Sequence, residues 1–245
     1  MFRFIFFFSW YRSYLSFPVS YLILASLLCA CSSSTAPMLS AAKSVIHPKS
    51  GVSLDPDYRY LRTSFISHSI LPSPVAYLAL GSSQYTSSGL LQIWYSADKE
   101  IIKLCNARLC GTAGLPVDWR KVLLKNIPSW DQIRLNDIVY ERQRFVMPGF
   151  HFGIQDQVFV HKIAAPKRSL LVGFNPNQLI WFKENTICSQ KNMRLPDARY
   201  AVDFSGNKPQ VIYSEQCLAK GLCFAFQIWT ADQEKTFSMN KKHRL

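Results

Sequence analysis

Residues 138–146 read Ile-Val-Tyr-Glu-Arg-Gln-Arg-Phe-Val, and this stretch decides the fold class. We interpret its alternation as that of a strand with one buried face and one solvated face. Similar short segments recur on both sides of it, separated by turn-rich residues such as 82–89. The further segments assigned as strands are 75–80, 90–95, 101–105, 109–112, 158–163, 179–182, 200–204, 210–213 and 223–230.

Helical signals are sparse by comparison. Residues 117–124 are predicted to form a short helix, because Trp119, Val122 and Leu123 share one helical face. About ten short strands with few helices are typical of an all-β sandwich or barrel. The sequence therefore predicts a mainly β domain, a multi-stranded antiparallel sandwich or barrel-like sheet with one or two short helices.

Two cysteine pairs lie in predicted hairpins. A three-residue turn at 219–221 would place Cys217 opposite Cys223, close enough for a disulfide after local adjustment. A two-residue turn at 106–107 makes Cys105 and Cys110 diagonal neighbours, about 7–8 Å apart and beyond easy bridging, whereas a four-residue loop would oppose them. The 105–110 pair therefore tests the hairpin register.

The N-terminus has the features of a secretory leader. Arg3 and Arg12 are its only charged residues, and an apolar segment leads into Leu28-Cys29-Ala30-Cys31. This tetrapeptide has the pattern of a lipobox, so we expect Cys31 to be acylated and to become the first residue of the mature protein. An uncleaved N-terminal anchor is the alternative. Several acyl chains hold a protein stably on a membrane, whereas one chain binds only reversibly.

The predicted organisation has three parts. Residues 1–30 form the signal peptide, residues 31–57 a tether rich in Ser, Ala and Pro, and residues 58–245 the β domain. Five cysteines follow Cys31, an odd number, so at least one thiol is free or pairs between molecules in an oxidising compartment.

The chain is strongly basic, with a formal net charge of +13 that falls to +11 without the leader. A solvated basic surface is the plain interpretation. The functional one is attraction to an anionic partner, either acidic polysaccharide or lipid head groups. Nucleic acid is not expected as a partner outside the cytoplasm.

No catalytic or metal-binding pattern is present in the sequence. There is no Gly-x-Ser-x-Gly elbow, no phosphate-binding loop and no metal-ligand set, and no cofactor is predicted. Glu184 and Asp203 form a weak candidate carboxylate pair. His151 near Asp156 is interpreted as structural. We therefore expect no enzymatic activity.

Four aromatic residues lie near Gly149 and Gly153. They either belong to the core and rim of the domain or form a platform on which sugar rings stack; a flat exposed cluster would favour the platform. These residues are Phe150, Phe152, Trp181 and Phe182.

A series of motifs carries a family resemblance through its order along the chain. The motifs are 94–98 (Trp-Tyr-Ser-Ala-Asp), 105–109 (Cys-Asn-Ala-Arg-Leu), 111–116 (Gly-Thr-Ala-Gly-Leu-Pro), 146–153 (Val-Met-Pro-Gly-Phe-His-Phe-Gly), 181–184 (Trp-Phe-Lys-Glu) and 200–203 (Tyr-Ala-Val-Asp). Together they resemble the YjbF/GfcB-like lipoproteins associated with group 4 capsule and exopolysaccharide operons. The chain departs from that pattern in having Asn-Ala where the family has Asn-Gly, and the cysteines are not part of it.

The resemblance implies a predominantly β, lipid-anchored protein on the periplasmic face of the outer membrane. It would be a non-enzymatic accessory factor in capsule or exopolysaccharide assembly or export, contacting the polysaccharide or the export proteins. A periplasmic enzyme that modifies or cleaves polysaccharide is one alternative, and a structural adaptor without glycan contact is another. Gly114 with Pro116, and Gly149 with Pro148, are interpreted as structural corners, or else as the rim of a groove.

Overall fold

A computed structural model describes residues 53–66 and 73–242 of the 245-residue chain. The predicted signal peptide (1–30), the lipidation site Cys31 and the predicted tether as far as residue 52 lie outside the described residues. Within the last part of the predicted tether, Leu54 is buried and packs with Tyr60 and Trp229. The packed domain therefore includes Leu54, which precedes the predicted domain boundary at residue 58.

The domain is mainly β, which confirms the predicted fold class. In the part of the chain that the structure describes, twelve strands form one antiparallel, nearly closed barrel-like sheet, accompanied by two short helices. The strands are β1 (Tyr60–Phe65), β2 (Val75–Thr86), β3 (Gly89–Tyr95), β4 (Ile101–Cys105), β5 (Arg108–Ala113), β6 (Asp118–Lys125), β7 (Ile138–Met147), β8 (His151–Ile163), β9 (Ile180–Cys188), β10 (Ala198–Asp203), β11 (Gln210–Ala219) and β12 (Leu222–Trp229). The helices are α1 (Trp130–Leu135) and α2 (Ala231–Lys242), with 3₁₀ turns at Pro176–Gln178 and Lys191–Met193.

Strand order in the sheet is β5-β4-β3-β2-β1-β12-β11-β10-β9-β8-β7-β6. The edge strands β5 and β6 lie close together. Trp119 N–H, on β6, donates to Thr112 Oγ1, on β5, at 2.9 Å. Among the described helices, none is long and apolar enough to cross a membrane.

Alternating strand directions place successive connections at opposite ends of the sheet. One end, called here the groove end, carries residues 87–88, 106–107, α1 and 204–209. The other end, called here the hairpin end, carries the connections 96–100, 114–117, 148–150, 189–197 and 220–221.

Part of the sheet is covered on both faces. All six residues of β1 are buried, and so are most residues of β11 and β12. On the outer face, α2 packs near Trp229 through Phe237, and segment 165–172 packs near Trp181 and Tyr213. Strands buried on both faces lose the alternating pattern, which explains why β1 was not predicted as a separate strand.

The helix predicted over 117–124 is wrong, since these residues form strand β6. Trp119 opposes Val146 and Lys121 opposes Phe145, so Arg120 is an extra residue in a β-bulge. The bulge shifts the alternation by one position. Apolar side chains at 119 and 122 therefore acquire a spacing of three, which imitates a helical face.

The structure joins Cys217 to Cys223 in a disulfide, directly opposite each other. The predicted turn is one residue shorter than expected, because Ala219 pairs with Leu222 around Lys220-Gly221. Leu218 is a bulge, and this extra residue restores the register that faces the two cysteines.

Cys105 and Cys110 are also joined, although the turn at Asn106-Ala107 has two residues. The expectation that this register keeps them apart is wrong. Lys103 pairs with Gly111 and Leu104 with Leu109, so Cys110 is a bulged residue. The bulge brings the two Cα atoms to 5.7 Å, within bridging distance. Among the described cysteines, Cys188 is the free one.

The two predicted corners have the backbone geometry of turns. Gly114 (φ 87°) and Gly149 (φ 93°) both lie in the left-handed region, which favours glycine. Gly114 N–H donates to Asp118 Oδ2 at 3.0 Å, in the bend that contains Pro116. Pro148 follows a cis peptide bond at the tip of the β7–β8 hairpin.

Candidate functional site

A groove of about 320 Å³ opens at the groove end of the sheet. Its floor is apolar and includes the inward side chains of Leu61, Leu104 and Phe226 from three strands. A concave apolar surface of this size with a few polar groups is the usual form of a small-ligand site.

The rim of the groove is aromatic and basic. Tyr85 is 77% exposed on one side, and the largely buried Trp130 lies in the wall. Arg59 and Lys208 are exposed and supply two cationic groups. Among the described residues, none that lines the groove is a carboxylate, a histidine or a cysteine. Such a surface attracts anionic ligands and offers flat rings for stacking.

The tight turn at Asn106-Ala107 forms one wall. Both residues have positive φ (47° and 66°), as a two-residue turn of type I′ requires. Asn106 Oδ1 accepts from Leu90 N–H at 2.9 Å, and the amide packs closely on Gly89, where a Cβ would clash. These contacts fix the turn against the β2–β3 hairpin and so fix the shape of the groove.

Helix α1 places Trp130 in the wall of the groove beside this turn. A capping box begins this helix, in which Ser129 Oγ accepts from Gln132 N–H and the Gln132 side chain accepts from Ser129 N–H. Trp130 Nε1 donates to Asn106 O at 3.2 Å, which joins the helix to the turn. This hydrogen bond fixes Trp130 beside the turn.

A buried ion pair lies directly behind Trp130. Arg108 Nε donates to Glu184 Oε1 at 2.7 Å, and both side chains are almost fully excluded from solvent. The Arg108 guanidinium is 4.2 Å from the centre of the Trp130 ring, within cation–π distance. Its two terminal nitrogens have no hydrogen-bond partner among the described residues.

Tyrosines and an amide complete this buried network. Tyr140 and Tyr200 donate to Glu184 Oε2 at 3.2 and 3.0 Å, and Gln216 Nε2 donates to Ala107 O at 2.8 Å. Burial and the Glu184 carboxylate raise the pKa of both phenols well above 10. Burial alone would lower the pKa of Arg108, but Glu184 raises it overall. The phenols therefore stay protonated and the guanidinium stays charged.

A second buried ion cluster lies nearer the hairpin end. Asp156 accepts from Arg142 Nε at 2.9 Å and from Arg144 Nη2 at 2.9 Å, and Arg144 Nη2 also donates to Met193 O. Both guanidinium groups lie about 5 Å from the ring of Trp119. The two clusters together place three arginines and two carboxylates in the interior.

The residues considered for catalysis are kept apart. Glu184 is held in its ion pair, whereas Asp203 accepts from Ser205 N–H in a turn, a contact that lowers its pKa. The two residues lie on neighbouring strands but at different levels, since Ala198 is the residue opposite Glu184. Asp156 is held by arginines, and the His151 ring lies against Gly149. Glu184 and Asp203 therefore do not form a common site, and neither do His151 and Asp156.

The four aromatic residues near Gly149 divide into two groups. Trp181 and Phe182 are buried in the core, 1% and 0% exposed. Phe150 and Phe152 are exposed at the hairpin end, and their rings are inclined at 54°. The core interpretation holds for the first two, and the exposed pair is not a flat platform.

Sequence reasoning missed the residues that form the groove. Arg59, Tyr85, Trp130 and Lys208 are far apart in sequence and belong to no common motif. The one local signal is the Ser129-x-x-Gln132 pattern of a capping box, which marks the helix that positions Trp130.

The fold matches that of a solved bacterial protein. The crystal structure of the hypothetical lipoprotein YmcC from Escherichia coli K12 superposes with a TM-score of 0.52 at 15% sequence identity. The match covers 79% of this chain and 97% of that one. At this identity the likeness establishes the fold alone. No family model and no curated protein sequence matches the chain.

Proposed function

We propose that this protein is a lipid-anchored polysaccharide-binding factor that acts in capsule or exopolysaccharide assembly or export. Cys31 would hold it on the periplasmic face of the outer membrane, and the groove would bind an acidic segment of the polysaccharide. The observation that carries the proposal is the lining of the groove, which within residues 53–66 and 73–242 has two cations, an exposed tyrosine and no carboxylate.

The chemistry of the groove favours binding over bond cleavage. Hydrolysis of a glycosidic bond commonly uses two carboxyl groups on either side of it. The buried carboxylates Glu184 and Asp156 are instead engaged by arginines behind the groove. Arg59 and Lys208 are suited to the carboxylates of uronic acids, and Tyr85 to the apolar face of a sugar ring.

The lipid anchor has support from outside the described residues. The Leu28-Cys29-Ala30-Cys31 pattern ends an apolar leader, and the protein with a similar fold is itself described as a lipoprotein. Replacing Cys31 with Ala is expected to abolish labelling by radioactive palmitate and to release the protein from membranes. Continued labelling would contradict the assignment of Cys31.

Binding is tested with polygalacturonate oligosaccharides, a defined acidic probe, and with neutral dextran as its control. The mature lipoprotein in detergent should bind the acidic probe and not dextran, and added salt should weaken binding. The double variant Arg59→Gln/Lys208→Gln should bind about tenfold more weakly, which corresponds to ~1.4 kcal/mol.

The matched control is the double variant Lys162→Gln/Lys167→Gln, because it also removes two positive charges and both lysines are exposed and do not line the groove. This variant should bind like the wild type. Equal weakening in both variants would show that net charge alone attracts the probe, and would contradict a role for the groove. In cells, deletion of the gene should reduce surface polysaccharide.

A further inference from the structure

The tip of the β7–β8 hairpin exposes two phenylalanines at the end of the sheet opposite the groove. Phe150 is 69% and Phe152 63% exposed, and their ring centres are 6.1 Å apart. Phe145 lies 6.1 Å from Phe152 and extends the cluster along β7. Single exposed apolar residues are common, but adjacent large ones point to an interaction surface.

The backbone holds this tip in an unusual conformation. Phe150 has φ 52°, in the left-handed region that bulky residues rarely adopt, directly after Gly149 with φ 93°. The His151 ring packs on Gly149. A strained residue at an exposed tip indicates a functional requirement for that conformation, which here projects the Phe150 ring into solvent.

Exposed basic side chains outnumber acidic ones at the hairpin end. Lys121 Nζ is 5.8 Å from the ring of Phe145. Glu100 and Asp118 are buried at this end, the latter accepting from the backbone N–H groups of the 114–115 bend. The exposed charges described at the hairpin end are positive at Lys99, Arg120, Lys121, Lys191, Arg194 and Lys220, and negative at Asp98 and Asp197.

We propose that the hairpin end docks on the surface of an anionic phospholipid membrane, with Phe150 and Phe152 inserted at the boundary of head groups and acyl chains. The inference rests on the lipid anchoring in the proposed function. Apolar rings flanked by cations are the composition of membrane-surface segments. The inclined rings do not form the flat face on which a sugar ring stacks.

The length of chain before the domain permits this orientation. Residues 32–52 separate Cys31 from the first described residue, and these 21 residues span at most about 70 Å. The longest strand, β8, has 13 residues and is about 43 Å long. A lipid on Cys31 therefore reaches a membrane at the hairpin end, although β1 begins at the other end. The groove then faces away from that membrane.

The substitution Phe150→Trp tests the inference by fluorescence. The tryptophans of the domain (Trp94, Trp119, Trp130, Trp181 and Trp229) are all 5% exposed or less, so they should be poorly quenched by lipid. The mature lipoprotein is reconstituted into phosphatidylcholine–phosphatidylglycerol vesicles with brominated acyl chains. Phe150→Trp should lose more fluorescence than the wild type, and the loss should diminish in vesicles of phosphatidylcholine alone.

Leu135→Trp is the matched control, because Leu135 is 78% exposed at the groove end. It should be quenched no more than the wild type. Equal quenching of both variants, or a response of Phe150→Trp to polygalacturonate and not to brominated lipid, would overturn the inference. Such a failure leaves polysaccharide binding through Arg59 and Lys208 intact. Loss of polysaccharide binding with retained quenching would instead overturn the proposed function alone.

Discussion

At the scale of single residues, Ala107 adopts a conformation that its side chain disfavours. Its φ of 66° lies in the left-handed region, which costs an L-residue about 1–2 kcal/mol relative to glycine. The Asn106-Ala107 turn is retained because its carbonyls accept hydrogen bonds from Trp130 and Gln216. Strain at this turn is therefore offset by contacts that shape the groove.

Ala107→Gly should stabilise the protein by about 0.5–1 kcal/mol, since relief of strain exceeds the added entropy of the unfolded chain. Urea unfolding measures the change. Ala113→Gly, on the neighbouring strand β5, is the control and should destabilise by about 0.5–1 kcal/mol. Destabilisation of similar size in both variants would contradict strain at Ala107.

The Arg108–Glu184 pair is the second feature at this scale. Arg108→Met leaves the Glu184 carboxylate buried without its cation, and should destabilise by about 3–5 kcal/mol. The double variant Arg108→Met/Glu184→Leu removes both charges and should be more stable than Arg108→Met alone. Chemical denaturation of the wild type, Arg108→Met, Glu184→Leu and the double variant measures the coupling. Additive losses would show that the two side chains act independently.

The sequence predicted the Asn106-Ala107 turn but not the Arg108–Glu184 ion pair. The tight turn at 106–107 was visible because it lies between two apolar segments. Arg108 and Glu184 are 76 positions apart. Nothing local distinguishes either residue from a solvated charge, so only the closed sheet brings them together.

At the scale of elements, a six-residue helix carries one wall of the groove. So short a helix is marginal by itself and depends on its cap and its packing. Ser129→Ala removes the capping acceptor and should destabilise by about 1 kcal/mol, whereas Ser129→Thr retains the hydroxyl and should cost less. Because Trp130 follows the cap, Ser129→Ala should also weaken polygalacturonate binding. Equal effects of both substitutions would contradict the capping role.

The strands and helices predicted from the sequence were wrong or incomplete where the structure has bulges and helix caps. Bulges at Arg120, Cys110 and Leu218 each shift the side-chain period by one residue, which no simple alternation rule anticipates. Both helices follow a capping pattern that the sequence does contain, Ser129-x-x-Gln132 and Thr230-x-x-Gln233. The β class was predictable because most strands keep one solvated face.

At the scale of the whole molecule, the barrel-like sheet encloses tyrosines that must stay protonated. Burial raises the pKa of Tyr140, Tyr200 and Tyr213 above the ordinary value of 10, with further contributions from Glu184 or Glu215. Their stabilisation is fully present below pH 10. It is lost as pH rises above 10, because the unfolded chain then ionises and the folded chain does not.

The free energy of unfolding should therefore fall above pH 10, by ~1.4 kcal/mol per pH unit for each such tyrosine. Urea unfolding between pH 8 and 11 measures the slope. Tyr140→Phe should reduce it, and Tyr85→Phe, at an exposed position, should leave it unchanged. Reversible ionisation of all tyrosines near pH 10, seen by ultraviolet absorbance, would contradict the buried network.

The two ends of the molecule have different surfaces, and we propose that the groove end binds polysaccharide and the hairpin end a membrane. Hydrogen exchange of the mature lipoprotein with and without polygalacturonate tests the central claim most directly. Protection is predicted at the groove end, in residues 83–92, 104–107 and 208–214. Protection confined to the hairpin end, or the absence of any protection at saturating probe, would contradict the claim that the groove binds polysaccharide.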